Sequence, residues 1–449
     1  MYEELKNKIL NNIHKIDFQN CIKISLEDFG ARGDGSYDNT NIFKNAIDYC
    51  YQLGGGVIEV PEGVFLTGPI HLKNNINLFL NKNSTIKFID DPKKYLPSVF
   101  TRWEGVECYN YSPFIYSYQA KNIAITGEGT LDGNCNNTNW WYWCGKEEYG
   151  WNSGLPNQNE DRRRLFHMAE EGLPVEERVF GSGSYLRPSF IQLYKSENIL
   201  VEGIKIINSP MWCVHPVLSK NIVIKGVTIE SLGPNNDGID IESCENVLIE
   251  DSFLNNGDDC IVIKSGRNAD GRRIGVPTKN VLVRNCEMKD GHGGLVIGSE
   301  ISGGAKDIII ENSIMDSPNL DEAIRFKTNS LRGGNIENIY AINIKINQVK
   351  NSVLKIDYYY EEADVGEYDP TIKNVYLENI VSMKSTYGML IKAYKRAPVE
   401  QLQIINCDFR DISLGHHIEY VREINFVNLI IEKQKLDMKV KNIELFNFY

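Results

Sequence analysis

"ENILVEGIKIINS" (197–209), "KNIVIKGVTIES" (220–231) and "ENVLIEDSFLNN" (245–256) are three copies of one pattern. Each opens on a charged residue and an Asn, runs through three apolar residues, turns at a small or acidic residue, and resumes with Ile, Val, Phe or Leu in alternation. Branched residues at period two spell short strands, and the polar breaks spell turns. The pattern recurs in "KNIAITGEGTLDG" (121–133), "KNVLVRNCEMKD" (279–290) and "KDIIIENSIMDS" (306–317). It continues more loosely at 337–348, 373–384, 400–411, 422–433 and 441–448. Between the Asn or Asp positions 198, 221, 246, 280, 307, 338 and 374, the steps are 23, 25, 34, 27, 31 and 36 residues. A constant core with a variable step describes coils of one solenoid carrying loops on some faces. The expected fold is all-β, a right-handed parallel β-helix. A leucine-rich horseshoe would need LxxLxLxxN spacing and a helix per repeat, and a propeller four strands per repeat.

The expected organisation is a single catalytic domain over 1–449, with an N-terminal cap region (1–65), an insertion (134–188) and the main coils at 196–449. The first 20 residues read as a short amphipathic helix. In "DFGARGDGSYDNTNIFKNAIDYCYQLGGGVIEVPEGVF" (28–65), Asp38 is placed as the N-cap of a helix near 40–52 that covers the open end of the solenoid. The triple Gly at 54–56 lacks the Lys-Ser/Thr of a phosphate loop. The insertion holds four of the six tryptophans, at 140, 141, 143 and 151, which read either as platforms for sugar rings or as a small core that seals the insertion to the solenoid.

Net charge is −12 and the pI near 5.3, which speaks against nucleic acid or an anionic membrane as partner. The ten cysteines show no CxxC pair or Cys/His ligand spacing, so reduced thiols and no metal are expected. No stretch has the length and apolarity of a membrane span, and no secretory pattern is visible. The chain is therefore expected in the cytoplasm, although one whose leader had been removed would read the same way.

Residues at equal offset from the repeat Asn should stack about 4.8 Å apart. Offsets place Trp212, Asp237, the Asp258–Asp259 pair and His292 on successive coils. A longer loop from Asp307 adds Arg325 and Lys327, completing one polar stripe on one face. Three carboxylates so close imply that at least one is held protonated, as a general acid requires, while the others activate water. The imidazole would tune the acid, and the two cations would bind a negatively charged substrate. Taken singly, these residues have plainer meanings: Asp and Asn as turn formers, Gly291 and Gly293 as turn glycines, Arg325 and Lys327 as a solvated strand edge.

"NND" (235–237), "GDD" (257–259), "GHG" (291–293) and "RFK" (325–327), in that order, resemble the signature of glycoside hydrolase family 28, the family of polygalacturonases. The resemblance implies Asp258 as general acid, Asp237 and Asp259 as the carboxylates that activate water, His292 as support for the acid, and inversion at the anomeric carbon. It implies Arg325, Lys327 and Asn235 as substrate contacts and Tyr360 as a further one. Lys264 and Arg267, with Arg272 and Arg273, would add positive charge beside the aspartates. Many members carry Asn-Thr-Asp where this chain has Asn235-Asn236-Asp237, and Ile where it has Phe326. Segments 66–78, 101–113, 186–194, 208–217 and 263–278 are similar to bacterial exo-acting members, in which an insertion closes the groove. The implied activity is removal of galacturonate units from the non-reducing end of galacturonate oligomers without a cofactor. Monomer versus dimer product and a homo-oligomeric state stay open. The alternatives are a rhamnogalacturonan or xylogalacturonan hydrolase, a calcium-dependent pectate lyase on the same fold, or a glycan-binding β-helix without catalysis.

Overall fold

The Asn that marks each repeat bends the chain. Asn122, Asn198, Asn221, Asn246, Asn280, Asp307, Asn338 and Asn374 all hold φ between 54° and 60°, the left-handed region that costs most other side chains about 1–2 kcal/mol. A second bend in each coil is taken by Gly127, Gly203 and Gly226, then by Asp251, Asn285, Asn312, Asn343, Asn379 and Asn406. The bend residues bond from coil to coil: Asn221 to Asn198 at 3.1 Å, Asn198 to Asn122 at 2.8 Å, Asn374 to Asn338 at 2.9 Å. Sequence periodicity thus reported a backbone requirement as well as a hydrophobic one.

The computed structural model describes residues 2–431 and 438–448. The last two residues of the repeat copy at 422–433 lie outside them. The chain divides into two compact units, one of Asn12–Asp240 with Glu245–Leu248, the other of Met1–Asn11, Ile241–Cys244 and Ile249–Tyr449.

Each unit is a stack of coils with three parallel strands per turn. In the N-terminal unit, Ile115–Tyr118, Ile191–Tyr194 and Val214–Val217 stack in register. So do Lys121–Gly127, Glu197–Glu202 and Lys220–Lys225, and Thr130–Asp132, Lys205–Ile207 and Thr228–Ser231. The C-terminal unit repeats the plan, with Ile261–Lys264, Leu295–Gly298, Glu322–Lys327 and Ser352–Asp357 forming one of its sheets. This is the parallel β-helix expected from the repeat, and its crossovers take the right hand. The repeat copies correspond to two strands of each coil. The third, with all four residues buried in 261–264 and 295–298, carries no alternation to read.

Inside that third sheet of the C-terminal unit, Ile263, Ile297, Phe326 and Ile356 are fully buried. Phe326 pairs in register with Ile297 and Ile356, so the exchange of Ile for Phe lies in the core and leaves the outer face alone. Alternation sends Arg325 and Lys327 to the opposite face.

The helix Thr40–Gln52 buries Phe43, Ala46, Ile47 and Cys50 in the N-terminal unit, as expected of the cap. Its cap position is Asn39 rather than Asp38, because the Asn39 amide is spent on the carbonyls of Arg32, Tyr37 and Leu66. Asp38 still accepts the Thr40 N–H at 3.0 Å. The amphipathic start forms the helix Tyr2–Asn12, with Ile9 buried and Lys6 paired to Glu311 at 2.9 Å. No helix of the described residues is long and apolar enough to cross a membrane.

An aromatic core seals the insertion to the solenoid, with Trp140 packed against Tyr95 and Phe114 from outside it. Trp140 and Trp143 are buried, with ring centres 4.9 Å apart; Tyr95 lies 5.3 Å from Trp140 and Tyr185 5.1 Å from Trp143. Leu165 and Ala169 of the helix Asn159–Glu170 join Trp103, Phe180, Leu186 and Trp212 in a second apolar cluster. Of the two readings of these tryptophans, the packing one holds for Trp140 and Trp143. Trp141 is half-buried, and its Nε1–H donates to the Ser209 carbonyl at 2.8 Å.

Candidate active site

Asp258 and Asp259 occupy the turn between the strands Phe253–Asn256 and Ile261–Lys264 of the C-terminal unit. One coil on, His292 sits in the equivalent turn, and its N–H donates to the Asp258 carbonyl at 3.1 Å. Gly291 is there for proximity: a Cβ would lie 2.6 Å from the Asp258 carbonyl oxygen. Gly293 passes close too, 3.3 Å from Asp259 Oδ1 by the same measure. These are close-approach glycines, not incidental turn residues.

His292 Nδ1 lies 2.9 Å from Asp258 Oδ1. Burial pushes the Asp258 carboxyl up, but the hydrogen bond and charge of His292, together with Lys327 and Lys264, outweigh it and hold the group well below the usual carboxylate range. The same contact with Asp258 raises His292 above its ordinary value. For Asp258 the balance runs opposite to a carboxyl kept protonated: its carboxylate is favoured, and with it the proton on the imidazole one hydrogen bond away.

Asp259 does not face the cleft as an open carboxylate. It is fully buried, and Lys327 Nζ lies 2.5 Å from its Oδ2. Burial would lower the Lys327 ammonium, yet Asp259 keeps it above its ordinary value. The doublet thus divides its labour, one carboxylate to a half-exposed imidazole and one to a buried ammonium.

Arg325 and Lys327 stand at neither a solvated edge nor the turn register of the aspartates. They lie within the strand Glu322–Lys327, Arg325 beside Val296 and Lys327 beside Gly298, so the polar face spans a turn and the strand after it. Arg325 Nη1 donates to the His292 carbonyl at 3.4 Å, while its buried Nε has no hydrogen-bond partner among the described residues. Tyr360 lies beneath both cations, 5.4 Å from the Arg325 guanidinium and 5.2 Å from the Lys327 ammonium.

Two expected substrate contacts are committed elsewhere. Lys264 is buried and pairs with Glu300 at 2.9 Å; Arg267 is buried and pairs with Glu300 at 3.2 Å and Glu362 at 2.8 Å. Their charge is neutralised locally because burial of an unpaired cation would cost several kcal/mol. Arg272 stacks on Tyr368 at 3.6 Å, and Arg273 pairs with Asp270 at 2.9 Å.

Trp212, Asn235 and Asp237 belong to the N-terminal unit. Trp212, expected in the polar stripe as a substrate contact, is packed in the apolar cluster with Trp103 and Met211. Asn235 Oδ1 accepts from the buried Arg187 at 2.6 Å, so this side chain is first of all a loop anchor. Asn236 staples the same loop: its Oδ1 accepts from Ser231 Oγ at 2.6 Å and the Gly233 N–H at 3.0 Å, and its amide donates to the Met211 carbonyl at 3.2 Å. A threonine at that position has one hydroxyl to offer these partners, which accounts for the departure at 236. Asp237 follows directly and is buried.

The pattern of glycosyl hydrolases family 28 matches residues 182–414, over half of the chain. The chain belongs to that family. An exopolygalacturonase from Thermotoga maritima is 47% identical over 97% of both chains, and its crystal structure superposes with a TM-score of 0.94. A probable polygalacturonase of Vitis vinifera is 32% identical over 77% of this chain, and an exo-poly-alpha-D-galacturonosidase of Dickeya chrysanthemi 26% identical over 79%. The chain spans 65% and 62% of the length of these last two. The four motifs "NND", "GDD", "GHG" and "RFK" all fall inside the matched span of this family 28 chain. Glu300, Arg187, Arg332 and Glu361 escaped sequence reasoning. Glu300, Arg187 and Arg332 are lone charges in loops and Glu361 is half of an acidic pair, none with the spacing that betrays a motif; only the fold makes them neighbours of the site residues.

Proposed function

We propose that this family 28 hydrolase is an exo-acting, inverting polygalacturonase that removes galacturonate units from the non-reducing end of galacturonate oligomers. The observation that carries the proposal is the 2.9 Å contact of His292 Nδ1 with Asp258. It stores one proton beside a carboxylate in a site lined by Arg325, Lys327 and Tyr360. In the proposed reaction a uronate carboxylate is bound by Arg325, whose buried Nε has no partner among the described residues, and by the Lys327 ammonium. As the glycosidic bond breaks, the proton held on His292 passes through Asp258 to the leaving oxygen, which leaves the imidazole neutral and Asp258 a carboxylate again. The water that attacks the opposite face would be activated by the remaining motif carboxylates, as the family resemblance implies, and inversion is the outcome of that division. The name of the Thermotoga relative supports the exo mode.

Incubation with a defined galacturonate hexamer, followed by chromatography of the products, tests the proposal. A single early product, monomer or dimer, with reducing sugar released and no ultraviolet-absorbing unsaturated end, is the expected result. A ladder of intermediate lengths would refute the exo mode, and an unsaturated product the hydrolysis.

A further inference from the structure

The loop that bears Tyr360 is clasped from behind by buried cations. Glu361 and Glu362 point back into the coil, where Arg267 Nη2 lies 3.1 Å from Glu361 and 2.8 Å from Glu362. Arg332, fully buried, lies 2.6 Å from Glu361 and 3.2 Å from Glu362. Asn329, also fully buried, donates to the Tyr360 carbonyl and to Glu362, each at 2.9 Å. Glu361 and Ala363 hold φ of 52° and 55°, so the loop adopts a shape that non-glycine residues take only when held. On the far side, Arg267 shares Glu300 with Lys264. The network is balanced, with Lys264, Arg267 and Arg332 against Glu300, Glu361 and Glu362. Burial would raise the Glu300 carboxyl, but Lys264, Arg267 and Arg332 hold it well below the ordinary range.

Stability alone does not call for this arrangement. Apolar packing serves as well as a buried ion network, and often better. What two arginine forks and an amide supply is geometry, fixed in direction at several points. The element they fix ends in the ring beneath Arg325 and Lys327.

We infer that Arg267, Arg332 and Asn329 are positioning residues which, through Glu361, Glu362 and the Tyr360 backbone, set Tyr360 under the cations that bind the substrate carboxylate. The inference rests on the galacturonate reading of that site. Released from the clasp, the ring would wander and the carboxylate pocket lose its floor, weakening substrate binding more than the chemical step.

The test compares wild type with the double variant Glu361→Gln/Glu362→Gln, each alone and combined with Tyr360→Ala, on a galacturonate trimer. The double variant should raise KM by ~10-fold and change kcat by less than ~3-fold. In the Tyr360→Ala background the same pair should add less than ~2-fold, because its effect runs through that ring. Arg332→Lys keeps the charge but not the fork, and should reproduce the KM effect. Amide exchange across 358–364 should quicken by ~10-fold in the double variant while the strands Ile261–Lys264 and Glu322–Lys327 keep their protection. An unchanged KM, an undiminished effect without Tyr360, or a loss of protection throughout the coils would each overturn the inference. If wild type itself releases no sugar, the galacturonate reading falls, and unaltered exchange at 358–364 then decides against the clasp.

Discussion

A carboxylate next to an imidazole and a carboxylate next to an ammonium do different work, though Asp258 and Asp259 are neighbours in sequence. Asp258→Asn removes the proton carrier nearest the leaving group; kcat should fall by ~10³-fold with little change in melting temperature. A collapse in thermal stability instead would assign Asp258 to the turn. The proton held on His292 sets the alkaline side of the pH profile. Because Asp258 raises His292 above its ordinary value, the imidazolium persists at pH 6.5 and is lost only as pH rises through the raised value. Activity should therefore persist past pH 6.5 before declining, and His292→Gln should erase that limb in a kcat profile. Lys327→Met poses the opposite question. It strands the fully buried Asp259 without its cation, and should cost about 3–5 kcal/mol of stability in denaturant melts. Adding Asp259→Asn should restore most of that loss, and failure to do so would deny the pair its structural role.

The coil is built on left-handed asparagines as much as on branched apolar residues. Asn338 holds φ of 60°, donates to Asp307 at 2.7 Å and accepts from Asn374 at 2.9 Å. Asn338→Ala should lose about 1–3 kcal/mol through left-handed strain and two broken ladder bonds, whereas Asn338→Gly, free of the strain, should lose less. Equal losses in chemical denaturation would show that the ladder alone matters. At this scale the repeat was legible because bend, ladder and apolar alternation recur together. The third strand of each coil was not, since a strand buried on both faces shows a short apolar run without a period. For the same reason the turn offsets placed the aspartates and His292 correctly but misjudged Arg325 and Lys327, which lie on that third strand and not at its leading turn.

Across the whole chain, acid should act through buried imidazoles as well as carboxylates. Burial lowers His416 to about 4, and neither ring nitrogen has a partner among the described residues. A depressed folded value means that its contribution is complete above pH 6.5 and drains away as pH falls toward 4, by at most ~3 kcal/mol. Melting temperature should drop over that window, and His416→Leu should flatten the drop; an identical slope would place the acid lability elsewhere. The amino-acid sequence by itself determined the β-helix, the family and the ordered motifs, because each is written in local spacing: period two, a bend every coil, and polar residues at fixed offsets. Only the tertiary structure decided which charges are free to meet a substrate. Lys264 and Arg267 looked like substrate cations and are neutralised by Glu300, and by Glu361 and Glu362 nearly a hundred residues on. Trp212 shared the register of the polar stripe and is packed in a core. Burial and pairing are properties of neighbours in space, and in a solenoid those neighbours arrive from other coils and from loops of irregular length.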